Sequence, residues 1–278
     1  MVSQDLVRTL KRRALELRKL IVSDLIGVGK VGHLGGSCSC AEIVATLYFH
    51  KMRHDPKNPH MPERDRFLLS KGHAALVQYA ALALAGYFPR EELKNVKNLG
   101  AMLQGHPDMR KTPGVEANTG SLGQGLSIAN GMALGLRLDA SRGRVYVIIG
   151  DGEQNEGQIW EAAMASARFK IDNLTAILDH NRLQATGATA DRFDIGAIIP
   201  KWQAFGWNVI EIDGHDVAAV VEAFDRAETV KGRPTIIVAN TIKGKGISFA
   251  ENNAAFHNGS MTEEQYRTAM ADLERQSV

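Results

Sequence analysis

The feature that most constrains the fold is a pair of apolar segments separated by one helical segment. Residues 145–149 read VYVII, an apolar and largely β-branched run that predicts a parallel strand buried on both faces. The chain then turns at a GDG tripeptide, residues 156–169 place apolar side chains at helical spacing, and residues 174–178 form a second apolar run. These segments predict a βαβ unit, and therefore an α/β fold with a doubly wound, mostly parallel sheet that carries helices on both faces.

Polar residues follow both strands of this unit. Asp151 comes directly after the first strand and Asn181 after the second. Because the carboxyl ends of adjacent parallel strands share one edge of a sheet, we expect the two side chains to meet. Their oxygens suit Mg²⁺, and the N-terminus of the intervening helix, beside Gly152 without its Cβ, would admit a phosphate. The spacing predicts a Mg²⁺-diphosphate site, although GDG alone is more simply a strand-helix turn.

Length and composition favour one large α/β domain over residues 1–278. With 44% hydrophobic residues the chain can bury a full core. A net charge of +2 gives no electrostatic case for binding nucleic acid. No apolar run reaches the length of a membrane span and the first residues lack a signal-peptide core, so we expect a cytoplasmic protein that does not bind membranes. Cys38 and Cys40 lack a second Cys/His pair at zinc spacing and are expected to be reduced packing thiols.

The remaining pattern predicts elements that complete such a sheet. An amphipathic helix is expected over residues 5–26 and apolar strands at residues 207–212 and 234–240. The predicted helix caps are Ser37 to Ser39 for a helix through Ile43 and Leu47, and Thr262 for the last helix.

A further helix, predicted at residues 126–138, is rich in small residues. It begins beside Gly125 and contains Gly131 and Gly135. Each glycine costs about 0.5–1 kcal/mol relative to alanine inside a helix. The cluster therefore predicts that another backbone comes close, either within the chain or, as the preferred interpretation, across a subunit interface.

Six segments of the chain occur in an order typical of one enzyme family. They are GHLGGSCS, LSKGHAA, QGHPD, TPGVEANTGSLGQGLS, the GDG segment that ends at Asn181, and TIKGKGISF. Together they resemble the amino-terminal, thiamine diphosphate-binding domain of transketolase, and they cover nearly the whole chain. The resemblance implies a thiamine diphosphate-binding fold and an enzyme that transfers a two-carbon ketol unit from a ketose or ketose phosphate to an aldose.

The resemblance also implies which residues hold the cofactor. The side chains of Asp151 and Asn181 and the backbone carbonyl of Leu183 would bind Mg²⁺, or Ca²⁺ or Mn²⁺ in its place. The turn from Gly120 to Gly125 would pass its backbone beside thiamine diphosphate. The full set of implied cofactor contacts is His73, Gly120, Ser121, Leu122, Gly150, Asp151, Gly152, Glu153 and Asn181.

Four histidines are implied to be catalytic: His33, His73, His106 and His257. In the family pattern His73 lies close to the cofactor, while His33 and His106 contact sugar hydroxyls. Each histidine alone is more simply a satisfied surface or core residue, and it is the recurrence of three of them in matching motifs that favours catalysis. Imidazoles that are neutral near pH 7 suit the removal of a proton from a sugar hydroxyl, and the cofactor supplies carbanion stabilisation.

The chain departs from the family pattern in two respects. Single-chain transketolases are more than twice as long, and their second domain supplies a glutamate and the pocket for the aminopyrimidine ring. We therefore expect a subunit of a split transketolase, inactive alone, that works with a separate C-terminal subunit (pyrimidine-binding plus C-terminal domain), as α₂β₂. His257 matches the second of two nearby histidines in the family pattern, and this chain lacks the first. The contribution of His257 to catalysis therefore stays open.

Four alternatives stay open on the sequence alone. The KGKG loop is similar to that of 1-deoxyxylulose-5-phosphate synthase, which is one long chain, and the GDG segment to the α subunit of 2-oxo acid dehydrogenases, which would not carry GHPD and SLGQG. A transketolase for a branched or sulfonated sugar is a further possibility. The last is a non-catalytic regulatory relative, against which the retention of Asp151, Asn181 and three histidines argues.

Overall fold

A computed structural model describes residues 2–276 and places a five-stranded parallel sheet at the centre. Its strands are β1 (Arg66–Leu69), β2 (Val145–Gly150), β3 (Leu174–His180), β6 (Asn208–Asp213) and β7 (Thr235–Asn240), in spatial order β1-β2-β3-β7-β6. A short antiparallel hairpin of β4 (Leu183–Gln184) and β5 (Gly187–Ala188) follows β3. The predicted parallel sheet is confirmed.

Helices cover both faces of the sheet. They are α1 (Gln4–Leu20), α2 (Leu34–Cys38), α3 (Ala41–Thr46), α4 (Ala75–Ala85), α5 (Gln124–Leu138), α6 (Gly157–Arg168), α7 (Thr189–Arg192), α8 (Ile198–Ala204), α9 (Val217–Thr229) and α10 (Glu263–Arg275). No helix within residues 2–276 has the length and apolar character needed to cross a membrane.

Alternate residues of β2 enter two different cores, as the period of a strand requires. Tyr146 and Ile148 pack into a core shared with α1, α3, α4, α9 and α10, whereas Val147 and Ile149 pack with α5, α6 and α8. The apolar run at residues 145–149 is therefore buried on both faces, which explains why it does not alternate with polar residues.

The β2-α6-β3 unit matches the prediction closely. β2 and β3 are adjacent and parallel, and Gly150 pairs with Asp179 at the end of the ladder. β3 continues two residues beyond the predicted end, to His180, and a 3₁₀ turn (Gly152–Asn155) precedes α6. The end of β2 and the end of β3 therefore reach the same edge of the sheet.

Two helix predictions need correction. The helix over residues 5–26 becomes a π-helix from Ile21 to Ile26 in its last turns. The capping role of Ser37 and Ser39 is wrong, because Ser37 lies inside α2 and Ser39 is fully buried and donates to Asp179 Oδ2 at 2.6 Å. Burial next to a carboxylate makes that bond more favourable than a cap exposed to water.

Other local predictions hold. Thr262 caps α10 in a reciprocal capping box with Gln265. Cys38 and Cys40 are free and buried, and burial raises the pKa of Cys40 to about 11, so both are uncharged packing groups.

The glycines of α5 divide into two groups. A Cβ on Gly125 would lie 2.2 Å from Ser70 Oγ, so this glycine allows α5 to approach the end of β1. A Cβ on Gly131 or Gly135 would meet no atom within 4 Å. Close packing inside the chain therefore explains Gly125 and leaves the other two on an outward face.

Candidate active site

A cavity of about 380 Å³ lies at the carboxyl edge of the sheet, where β2 and β3 end. Its lining includes most of the predicted site: His73, Gly120, Leu122, Gly150, Asp151, Gly152, Glu153, Asn181, Leu183 and His257. Ser121, also predicted, is exposed and is not among the described residues that line this cavity. Residues far apart in the sequence thus share one cavity because the sheet brings their loops to one edge.

Asp151 is buried and held at both carboxylate oxygens. Its Oδ2 accepts hydrogen bonds from the backbone N–H of Arg182 and, at 3.1 Å, from His180 Nδ1. Its Oδ1 accepts from Gln154 Nε2 at 3.3 Å. A carboxylate has about four lone-pair positions, so further acceptor capacity is left for a cation.

Asn181 is fixed in the same way. Its Nδ2 donates to Asp179 Oδ2 at 2.8 Å, and its Oδ1 accepts from the backbone N–H of Leu183 at 3.1 Å. The amide orientation follows from these partners, so the amide oxygen lies on the side of Leu183. The two side-chain ligands predicted from the sequence are therefore preorganised by the strand ends.

Glu153 connects the end of β2, the glycine turn and Ser70 through hydrogen bonds. Its buried carboxylate accepts from the backbone N–H of Gly150 at 2.8 Å, from that of Gly123 at 2.9 Å, and from Ser70 Oγ. Burial raises its pKa above the ordinary value. Glu153 fixes the glycine turn against the end of β2, and a direct contact with a cofactor stays a prediction.

Two glycines make room for neighbouring groups. A Cβ on Gly120, whose φ is 138°, would lie 2.7 Å from His106 Cδ2. A Cβ on Gly152 would lie 2.7 Å from Gln184 Cγ, whereas the sequence suggested that this glycine clears space for a phosphate. Gln184 lines the cavity, and its Nε2 is buried with no hydrogen-bond partner in the described part of the chain.

The four predicted histidines form one cluster. The ring centroids of His33 lie 5.2 Å from His73, 5.4 Å from His257 and 6.1 Å from His106, and those of His73 and His257 are 5.0 Å apart. Four separate loops and turns supply these rings. The structure therefore brings together residues that the sequence spreads over more than two hundred positions.

The environment keeps these imidazoles neutral near pH 7. Burial, together with Lys97, lowers the pKa of His33 to about 4. Burial, together with Lys243, lowers the pKa of His257 to about 4, and the pKa values of His73 and His106 are lowered by burial as well. A neutral imidazole can accept a proton, which is what a general base requires.

Sequence reasoning missed a buried ion pair under the cavity. Lys71 Nζ lies 2.5 Å from Asp179 Oδ2 and 2.7 Å from the carbonyl oxygen of Gly36. Although burial opposes both charges, their attraction raises the pKa of Lys71 and lowers that of Asp179. The available signal was a charged residue, Asp179, inside an otherwise apolar strand.

Lys243 was also missed, although its TIKGKG loop was noted. Its Nζ donates to the carbonyl oxygens of Leu183 and Gln184 at 3.2 and 3.3 Å, and to His257 Nδ1 at 2.8 Å. Burial, with Lys71 nearby, lowers the pKa of Lys243 to about 8. Because Lys243 donates to Nδ1, the proton of neutral His257 must be on Nε2.

Comparison with known proteins decides the family. The sequence profile described as "Transketolase, thiamine diphosphate binding domain" matches residues 10–274. The chain belongs to the transketolase family. The predicted resemblance is confirmed, and it extends over nearly the whole chain.

Transketolase relatives fall into two length classes. The chain is 48% identical to the 6-deoxy-6-sulfo-D-fructose transketolase subunit SqwG of Clostridium sp. (strain MSTE9), over 97% of this chain and 98% of that protein. It is 40% identical to one subunit of the apulose-4-phosphate transketolase of Phocaeicola vulgatus, over 96% and 94%. Human transketolase is 42% identical, with 91% of this chain matching only 40% of that protein.

Solved transketolases share the fold. The structure superposes on transketolase from Leishmania mexicana with a TM-score of 0.90 and 31% identity, over 99% of this chain and 42% of that one. The chain therefore spans about two fifths of the single-chain transketolases and nearly all of the relatives named as subunits.

Proposed function

We propose that this chain is the thiamine diphosphate-binding subunit of a split transketolase and that it holds the diphosphate-Mg²⁺ end of the cofactor. The observation that carries the proposal is the single cavity that gathers the predicted metal ligands, the glycine turn and two of the four histidines. Relatives of the same length, named as transketolase subunits, support it. A non-catalytic role is consistent with the fold but is not favoured, because every predicted ligand and histidine is present.

The oxygen set fits a hard divalent cation. Asp151, the amide oxygen of Asn181 and the carbonyl oxygen of Leu183 would bind Mg²⁺, which usually takes one or two protein carboxylates and completes its shell with phosphate oxygens and water. Ca²⁺ or Mn²⁺ would bind the same oxygens. The anchoring of Asp151 and Asn181 supports this assignment, since metal ligands are commonly fixed by outer hydrogen bonds.

Three groups of this chain would hold the diphosphate. The Lys243 ammonium lies at the cavity, Gln184 Nε2 is a buried donor without a partner in the described residues, and α6 begins next to Glu156, which lines the cavity, with first-turn backbone N–H groups that have no acceptor within the helix. A diphosphate would supply acceptors for Gln184 Nε2 and the backbone N–H groups. Its negative charge would attract the Lys243 ammonium, whose three N–H groups already donate to Leu183, Gln184 and His257. The unpaired Gln184 donor is therefore explained by the proposed ligand.

The histidines would accept protons from the substrate and donate hydrogen bonds to it. Thiamine diphosphate, when bound, supplies the carbanion stabilisation that C–C bond cleavage requires. Neutral His33 or His106 can accept a proton from a sugar hydroxyl, and His257, whose Nε2 carries its proton, can donate a hydrogen bond to a substrate oxygen. His73, the most buried of the four, would lie next to the cofactor.

The remaining assignments concern organisation. We propose that residues 1–278 form one domain, because both cores flank the same sheet. A separate subunit with the pyrimidine-binding and C-terminal domains would complete the site, as α₂β₂, and the outward glycine face of α5 at Gly131 and Gly135 is a candidate contact surface. We expect neither nucleic acid nor membrane among its partners, and a cytoplasmic location.

The donor substrate would be a ketose that gives up a two-carbon unit, and anionic sugars are the first donors to test. The names of two relatives specify 6-deoxy-6-sulfo-D-fructose, a sulfonated ketose, and apulose 4-phosphate, a sugar phosphate. Sulfonated and phosphorylated ketoses are therefore the first donors to screen.

The decisive experiment is capture of the tagged chain from its native cells, followed by mass analysis of its partners and bound small molecules. We expect a second subunit together with thiamine diphosphate, and transfer of a two-carbon unit by the purified complex. A lone chain that binds no thiamine diphosphate at millimolar concentration would refute the proposal. Turnover by the isolated chain would refute the split arrangement while leaving the reaction intact.

A further inference from the structure

The tryptophans of this protein all lie in one cluster beside the candidate metal ligand. The sequence contains three tryptophans. The ring centroid of Trp202 lies 5.2 Å from that of Trp160 and 5.0 Å from that of Trp207. Gln154 lies between this cluster and Asp151, is fully buried, and is not among the residues that line the cavity.

The side-chain amide of Gln154 connects the tryptophan cluster to Asp151 through hydrogen bonds. Trp202 Nε1 donates to Gln154 Oε1 at 3.1 Å, and Gln154 Nε2 donates to Asp151 Oδ1 and to the Asp151 carbonyl oxygen, both at 3.3 Å. Trp160 Nε1 donates to the backbone carbonyl oxygen of Gln154 at 2.8 Å. Both ends of the residue are therefore anchored to indole N–H groups.

These contacts determine which way the amide points. An indole N–H can only donate, so the atom facing Trp202 must be the amide oxygen. The NH₂ group then faces Asp151. Because the donor is neutral, it restrains the Asp151 carboxylate without cancelling the negative charge that would attract a cation.

We propose that Gln154 is a positioning residue that sets the orientation of Asp151 for the divalent cation. The proposal rests on the proposed function. Gln154 acts through Asp151, because it has no side-chain atom at the cavity surface. The remaining carboxylate oxygen is held by His180 and the Arg182 backbone, so Gln154 supplies the restraint on Oδ1.

The first test replaces Gln154 with leucine, which has a similar volume and no hydrogen-bonding group. In the purified full chain with its partner and saturating thiamine diphosphate, the Kd for Mg²⁺ should rise about 10- to 100-fold, the usual cost of losing an outer partner of a metal ligand. Calorimetry measures the Kd. Gln203→Leu is the matched control, since Gln203 adjoins Trp202 but is exposed.

A second readout separates positioning from general damage. Mg²⁺ demands near-ideal octahedral geometry, whereas Ca²⁺ tolerates irregular coordination. A misplaced carboxylate should therefore weaken Mg²⁺ binding more than Ca²⁺ binding. A purely structural defect would weaken both to the same extent and lower the melting temperature.

Trp202→Phe keeps an aromatic ring in the core and removes the N–H donor together with part of the indole volume, so it provides a test if Gln154→Leu does not fold. We expect calorimetry to show a Kd for Mg²⁺ raised by a few-fold, because the amide loses one neutral hydrogen bond and can reorient. Unchanged Mg²⁺ binding in folded Gln154→Leu or Trp202→Phe would overturn the positioning role alone. A wild-type complex that binds neither Mg²⁺ nor thiamine diphosphate would overturn the proposed function as well.

Discussion

The floor of the cavity and the histidine cluster above it are built by different means. On the floor, Asp151, Asp179 and Asn181 follow or end buried strands, and each side chain makes several hydrogen bonds. In the cluster the rings come from loops and turns, and within residues 2–276 only His257 among the four has a side-chain hydrogen bond, to Lys243. The protein thus anchors the groups that would hold a fixed ion and leaves ring nitrogens without protein partners where a changing substrate would bind.

This difference follows from what each region has to do. A preorganised ligand set lowers the reorganisation needed when an ion binds, so dense anchoring benefits the floor. A proton acceptor must exchange partners during a reaction, so an imidazole without a fixed partner suits the cluster. Substitutions in the two regions should therefore fail in different ways.

The largest effect is expected for Lys71→Met. It leaves Asp179, which is fully buried, without its counter-ion, and breaking a buried pair on one side costs about 3–5 kcal/mol of unfolding free energy. Urea denaturation of the variant measures this, with the exposed Lys94→Met as control. A loss below about 1 kcal/mol would show that the floor does not depend on the pair.

Asp151→Ala should remove the cation site and leave the histidine cluster intact. We expect affinity for Mg²⁺ in the presence of thiamine diphosphate to fall at least about 100-fold, because loss of an outer partner alone can cost that much. Calorimetry on the variant and on Asp191→Ala, an exposed aspartate in α7, provides the comparison. Equal affinities in the two variants would remove Asp151 from the metal site.

Gly120→Ala should disturb the cluster in preference to the floor. The new Cβ would press on His106, and a non-glycine residue at a φ of 138° adds strain of about 1–3 kcal/mol. Urea denaturation should show this loss, while the NMR signals of the His106 ring should shift more than those of Asn181. A larger shift at Asn181 would mean that the two regions are not separable.

The smallest effect concerns pH. Because the pKa values of His33 and His257 are about 4 in the fold, below the ordinary 6.5, the unfolded chain binds protons first as pH falls. The stabilisation of the fold by these two neutral imidazoles is complete above pH 6.5 and is lost as pH decreases toward 4. His33→Asn should reduce the slope of unfolding free energy against pH by about 0.5 kcal/mol per pH unit, a value that allows for the solvent that reaches this half-buried ring.

Urea denaturation at several pH values between neutrality and pH 5 measures this slope. His60→Asn, at an exposed position outside the cluster, should leave the slope unchanged. A slope in His33→Asn equal to that of the wild type would indicate that the His33 imidazole is hydrated in the fold.

The sequence by itself determined the fold class, the βαβ unit and the placement of Asp151 and Asn181 at one edge of the sheet, where both line the cavity. These depend on local rules: apolar runs of strand length, a helix between them, and the shared edge of parallel strands. Family motifs added the histidines, and the structure then placed the centroid of each ring 5.0 to 6.1 Å from that of a neighbour in the cluster. Hydrophobic pattern and family motifs were sufficient to predict these features because each strand, helix or motif is recognised from a short stretch of sequence.

Only the tertiary structure decided which buried polar side chains from different elements are partners. Ser39 was predicted to cap a helix, yet it donates to Asp179, which lies 140 residues away. Lys71 with Asp179 and Trp202 with Gln154 are likewise pairs whose members are 108 and 48 residues apart in the chain. No local periodicity encodes such contacts, because whether a buried polar group finds a partner depends on how the layers pack around it.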